Sequence, residues 1–319
     1  MNAKLQMPDT QIDATEAGAE LRANCLASKL HIKWLGVTRS LTADQMASLV
    51  DGSEVDSKMI RASKRLLDSA HPTMKLLANI RNRMLGTWRG LTLPFVEAGI
   101  RLIPRQLVGE FESRMSMLKD ELSSAVDELE QEWPRLKEAA AARLGAFYNP
   151  DDYPDNLEEL FIVSWSYPET SVPSYLMAID ASVYRREAAR VAEKFEQAVE
   201  LAEQGFVEEF NKLVSHLTER LTDSDGVPKI FRDSSLESLR EFFGRFGQMR
   251  LGGKAEEQLE QLVAQAQRIV SGVAPQDLRD SGSLRQNVAQ NLSRVGAELE
   301  GMLVSRPRRK IVRMGGLSE

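Results

Sequence analysis

The run Leu107–Leu144 constrains this chain more than any other stretch. Apolar residues stand at Leu107, Phe111, Met115, Leu118, Leu122, Val126, Leu129, Trp133, Leu136, Ala140 and Leu144, in steps of three and four that approximate an eleven-residue repeat. That spacing draws one apolar stripe along a long helix. A lone helix cannot hide such a stripe, so a partner is required. Pro134 falls inside the pattern. A proline in a helix interior removes a hydrogen bond and crowds the preceding turn, at a cost of about 3 kcal/mol. The apolar phase survives it, so the sequence predicts a kink near Trp133-Pro134 rather than a break.

A second stripe runs through Val191, Phe195, Ala198, Ala202, Phe206, Phe210, Leu213, Leu217 and Leu221, inside a helix predicted over 177–221. Val191, Ala202 and Leu213 are eleven residues apart, the same repeat. Two long helices with matching repeats predict a mainly α fold built on a long antiparallel helical hairpin. This coiled-coil-like arm would be roughly 60 Å long at about 1.5 Å per residue. A repeat of about 3.67 residues per turn favours straight or slightly right-handed packing. The turn-rich segment 148–176, with a strand predicted over Leu160–Trp165, would close the tip as a small α/β insert.

The rest of the chain divides around that arm. Residues 1–20 read as a disordered lead-in. Residues 21–106 read as a basic α/β base. Its parts are a strand at Leu30–Trp34, a short helix capped by Thr42 or Asp44, two helices over 58–90 broken at His71-Pro72, and an extended piece at Gly99–Ile103. The arm spans 107–222. Helices over 236–249, 255–270 and 284–303 make up the C-terminal part 223–304, and 305–319 is a basic tail.

Hydrophobic residues at 42% and charged residues at 28% are those of an ordinary globular protein, and the net charge of −6 argues against a chain that coats nucleic acid along its whole length. The charge is segregated, however. Residues 58–106 carry ten Lys or Arg against Asp68 and Glu97, a net of +8. Residues 107–160 carry fourteen Asp or Glu against five Lys or Arg, a net of −9. Either the two segments neutralise one another, within a chain or between protomers, or the first is a face for nucleic acid. The candidate contacts are Lys58, Arg61, Lys64, Arg65, Arg81, Arg83 and Arg89, joined by the tail residues Arg306, Arg308, Arg309 and Lys310.

Phe147, Tyr153, Phe161 and Trp165 gather near the expected tip. They are candidates for a partner-binding surface if exposed, or a small core if not. Catalysis has no comparable constellation. The single Cys25 excludes an intramolecular disulfide and reads as a small apolar residue beside a strand. Only His31, His71 and His216 exist to serve it as a base. The acidic cluster Asp151, Asp152, Asp155, Glu158 and Glu159 lacks the alternation and central glycine of a calcium loop. Glu128, Glu130 and Glu132 do not share a helix face. No phosphate loop, zinc spacing or catalytic triad is present, so no cofactor and no metal are expected. Nothing resembles a signal peptide or a spanning helix, which predicts a cytoplasmic protein. A membrane-acting reading would insert Leu160–Met177, but Pro168 and Pro173 interrupt that run.

Trp133-Pro134, Leu144-Gly145, Phe147, Asp152-Tyr153-Pro154 and the Phe161–Trp165 strand resemble an uncharacterised family of bacterial and phage proteins. The Ile32-Lys33-Trp34 strand is similar as well. The resemblance covers roughly residues 25–300 and is specific at 133–165. Members of that family are often encoded near a MoxR-type AAA+ ATPase and a von Willebrand type A protein. The resemblance implies a partner role in an ATPase-driven assembly and carries no catalytic residues. The sequence therefore predicts a non-enzymatic interaction or scaffold protein that oligomerises, with nucleic-acid binding as the alternative.

Overall fold

A computed structural model of the chain describes residues 15–50, 59–222, 232–249 and 256–305. The fold is mainly α, 72% helical, with a small antiparallel sheet of four strands. The strands of that sheet are β1 (Cys25–Lys33), β4 (Leu93–Pro94), β5 (Ile100–Pro104) and β6 (Ile162–Ser166), in the order β4–β5–β1–β6. Two further strands, β2 (Thr38–Ser40) and β3 (Ser63–Arg65), pair with each other alone. The chain divides into two compact units, residues 26–92 with 99–169, and residues 1–25, 93–98 and 170–319.

The first unit holds α2 (Ala43–Val50), α3 (Pro72–Gly90) and the predicted long helix, α4 (Val108–Leu144). Thr42 caps α2 reciprocally. Its hydroxyl accepts the Gln45 N–H at 3.3 Å, and the Gln45 side chain accepts the Thr42 N–H at 3.2 Å. Pro72 starts α3 at its first turn, where its missing N–H costs nothing. α4 runs unbroken through Pro134 for 37 residues, about 55 Å.

The stripe of α4 is buried from Phe111 to Ala140, and its partner helix is α3. Arg83 pairs with Glu121, and Asp68, just before α3, pairs with Arg143 at the far end of α4. Those two pairs make the helices antiparallel. Phe111 of α4 also meets Trp165 of β6 edge-to-face at 6.0 Å, so the sheet covers the start of the stripe. The helix expected over Lys58–His71 is instead β3 with turns, because Ser63–Arg65 pair with Thr38–Ser40. Lys58 itself lies outside the described residues.

The second unit is helical: α1 (Glu16–Asn24), α5 (Tyr175–Ile179), α6 (Ala181–Leu221), α7 (Asp233–Gln248), α8 (Glu256–Val270), α9 (Pro275–Asp280) and α10 (Gly282–Ser305). The second long helix begins at Ala181 rather than Met177. Asp180 takes an extended conformation there and caps α6 by accepting the Ser182 and Val183 N–H groups. The Ser182 hydroxyl, which also donates to Asp180, and then those two N–H groups hold its carboxyl below the ordinary carboxylate range.

α6 buries its stripe chiefly along α10, and also against α1 and α7. Phe206 and Phe210 of α6 pack with Phe242, Phe243 and Phe246 of α7, with Phe210 stacked on Phe242 at 5.0 Å. Gly18 lets α1 approach closely, since a Cβ there would meet the Glu196 side chain at 3.1 Å. Each stripe thus meets a helix of its own unit. Among the described residues, no helix is long and apolar enough to cross a membrane.

Two glycines give predictions of opposite sign. Gly145 ends α4 at φ 53°, ψ −122°, a conformation that L side chains rarely adopt. Gly145→Ala is expected to destabilise by about 1–2 kcal/mol, from backbone strain alone. Gly205, exposed inside α6 with nothing within 4 Å of its missing Cβ, is helical. Gly205→Ala is expected to stabilise by about 0.5–1 kcal/mol. Urea unfolding midpoints measure both, and shifts of the same sign would contradict the assignment.

Candidate functional site

The segment after α4 has no long regular element, yet it is held in place from three sides of the first unit. Lys64 projects inward from β3 and is buried. Its Nζ lies 2.7 Å from Asp152 Oδ2 and donates to the Phe147 carbonyl, also at 2.7 Å. Gln45 of α2 donates to that same carbonyl at 3.1 Å. Tyr153, buried, donates its hydroxyl to the Leu66 carbonyl at 2.9 Å. Trp133 of α4 donates its indole N–H to the Pro154 carbonyl at 2.8 Å. Burial pushes the Tyr153 phenol up to about 12, with the neighbouring Tyr148 and Asp152 adding to the shift.

This latch answers the question posed by the aromatic residues. Tyr153 and Phe161 are core, with Phe161 edge-to-face against Trp34 at 4.9 Å. Phe147 is half-buried. Trp165 is half-buried too and donates its indole N–H to Glu112 at 2.8 Å. Glu112 also accepts the Tyr167 hydroxyl, and burial together with that carboxylate pushes the Tyr167 phenol up.

Beside the latch lies a groove of about 710 Å³. One wall is Pro134, Lys137, Glu138 and Ala141, four residues on a single outward face of α4. The other wall is the 148–155 segment, where Tyr148 stacks on Tyr153 at 5.1 Å. Glu138, Asp151 and Asp155 rim the groove and are exposed. The one cation there, Lys137, already pairs with Asp155 at 3.5 Å. The volume falls within the range of about 300–1,000 Å³ common to binding clefts. The i, i+3, i+4, i+7 spacing from Pro134 to Ala141 is the sequence signal that could have revealed this wall.

The predicted basic contacts scatter. Lys64 is buried in the latch and cannot meet a nucleic acid. Arg83 pairs with Glu121 at 2.6 Å, and Arg81 lies over the Trp34 ring at 5.7 Å. Arg65 is exposed on β3 and bonds Ser69, while Arg61 and Arg89 are exposed. Arg101 is half-buried over Trp88 at 5.8 Å and bonds Thr92; burial, then Arg89, lowers it to about 10. Arg306, Arg308, Arg309 and Lys310 lie outside the described residues.

A basic row that the charge count missed sits on the sheet. Lys29, His31 and Lys33 of β1 stand opposite Ser166, Ser164 and Ile162 of β6, and all six are exposed. The alternation of Leu30, Ile32 and Trp34 with these residues marks that open face in the sequence. Among the described residues, no group of three His, Cys, Asp or Glu is placed to hold a metal ion. Comparison of the chain with family models, with curated proteins and with solved structures returned no match.

The latch makes two predictions. Lys64→Met leaves the half-buried carboxylate of Asp152 without its cation and is expected to cost about 2 kcal/mol, whereas Arg61→Ser at an exposed position should stay within about 0.5 kcal/mol. Equal urea midpoints for the two variants would refute the pair. The Tyr153 phenol, raised to about 12 from 10.0, binds its proton more tightly in the folded chain. Its contribution to stability is therefore complete below pH 10 and lost as the pH climbs from 10 toward 12. Tyr153→Phe should flatten that loss while costing about 1 kcal/mol at neutral pH, since the Leu66 carbonyl loses its donor. Unfolding midpoints measured across the alkaline range check the slope.

Proposed function

We propose that this chain is a non-enzymatic interaction and scaffold protein that self-associates and holds a protein partner. The observation that supports this most is the latched groove beside Tyr148. Its chemistry is that of recognition: proline and tyrosine walls, charged groups at the rim, and a backbone already fixed before anything binds. Fixed walls reduce the ordering cost of association. In the helical unit, Tyr175 and Ile179 of α5 are 63% and 74% exposed one turn apart, a second apolar surface suited to a partner. The resemblance of 133–165 to the ATPase-associated family makes a MoxR-type AAA+ ATPase the partner to test first.

Light scattering on the full chain, alone and mixed with such an ATPase, tests the reading. The expected mass for the chain alone exceeds the 35.7 kDa of one copy, and the mixture runs as a larger species. A strict monomer that leaves the ATPase unchanged overturns it.

The open basic sheet face supports nucleic-acid binding as a second reading. Its signature is an affinity that falls steeply with salt. Lys29→Ala and Lys33→Ala should each reduce the logarithmic salt slope by about 1 for every phosphate contact removed. Absence of a gel shift on DNA and RNA at low salt removes this reading.

A further inference from the structure

We propose that the groove beside Tyr148 receives the arginine- and proline-bearing segment Arg306–Arg313 of a second copy of this chain. The inference rests on the self-associating reading above, and it names the segment and the surface that would meet.

Charge is the first argument. Glu138, Asp151 and Asp155 are exposed on the rim, and Lys137, the one cation among the described lining residues, pairs with Asp155. Three rim carboxylates thus face one ammonium, which leaves the groove net negative. The segment, Arg-Pro-Arg-Arg-Lys-Ile-Val-Arg, has five cations and no acid. Opposite charges steer such an encounter and set its register. The other open surface of the same unit repels it, because Lys29, His31 and Lys33 carry no compensating acid opposite them on β6.

Shape is the second argument. Pro134, Pro150 and Pro154 line the groove with Tyr148, which lies stacked on the buried Tyr153. Segments containing proline dock on aromatic-lined grooves because their extended backbone is preset and little order remains to be imposed. Tyr148 supplies the face for Pro307, and the rim acids supply counter-charges for the arginines on either side. Tyr153 cannot swing away, since its hydroxyl is fixed to the Leu66 carbonyl.

A fluorescein-labelled synthetic peptide of residues 304–313, titrated with the full-length chain and followed by anisotropy, tests the proposal. Binding is expected to weaken at least tenfold in E138Q/D151N/D155N. It is also expected to weaken with added salt. All three substituted positions are exposed, and a wild-type melting midpoint verifies that the variant folds. In a second arm, R306E/R308E/R309E should lower the solution mass of the full chain, and E138K/D151K/D155K in the same chain should restore it. Absence of peptide binding overturns the proposal, as does equal binding to the groove variant or a tail variant that keeps the wild-type mass. If the wild-type chain assembles while the peptide ignores the groove, this proposal alone falls. If the wild-type chain is a monomer, the self-association beneath it falls as well.

Discussion

The ion pair of buried Lys64 with half-buried Asp152 is the contact on which the groove depends. Residues 145–157 have only short helical turns of their own, and ordering a backbone without regular hydrogen bonding costs roughly 1–2 kcal/mol per residue. Lys64 offsets part of that cost by engaging two points of the segment at once, the Asp152 carboxylate and the Phe147 carbonyl. Burying two charges gains little net stability in itself. What the pair supplies is position: with the ammonium fixed on β3, the loop has one place to sit. The Tyr153 hydroxyl on Leu66 and the Pro154 carbonyl on Trp133 then fix its two flanks.

α4 contributes to that surface through the same proline that threatens it. Pro134 points outward while Trp133 and Leu136 stay buried, so the apolar phase passes the proline intact. Its ring then becomes part of the groove wall. A helix residue that cannot donate a hydrogen bond is best tolerated where neighbouring segments support the turn. Here Glu130, one turn before Pro134, accepts the Leu157 N–H at 3.3 Å and ties the loop to that turn. The wall and the latch are thus one construction, in which helix and loop fix each other.

The elements were legible in the sequence where periodicity was strong. Both stripes lie within long helices, the alternation around Ile32 marks β1, and the apolar run Leu160–Trp165 marks β6. The partners of the stripes were not legible. An eleven-residue repeat states that a helix has one apolar face, and it is silent on which face will cover it. α3, only 19 residues long, covers α4, while α10, whose Leu284, Val288, Leu292, Val295, Leu299 and Leu303 follow the same eleven-residue spacing, covers α6. Lys64 was misread for a related reason. A three-residue strand gives no periodic signal, so Lys64-Arg65 read as a charged helix surface. Only the pairing of Arg39 with Lys64 reveals a strand, and with it the inward direction of the lysine. Tyr153 was ambiguous between tip and core because burial is decided by Leu66 and Tyr148, which no local pattern links to it.

The segregated charge has a use that neither reading of the sequence captured whole. Part of it is neutralised inside the first unit, through Lys64 with Asp152, Arg83 with Glu121 and Arg143 with Asp68. Elsewhere in the unit charge is sorted onto different surfaces, Lys29, His31 and Lys33 on the open sheet and Glu138 and Asp151 beside the Lys137–Asp155 pair around the groove. Like surfaces of two copies repel, so a symmetric pairing of groove with groove or sheet with sheet is disfavoured. A basic segment that entered the groove of a second copy would join unlike surfaces, either reciprocally about a two-fold axis or head to tail. Head-to-tail contacts close into rings when the rotation between copies permits and extend into filaments when it does not.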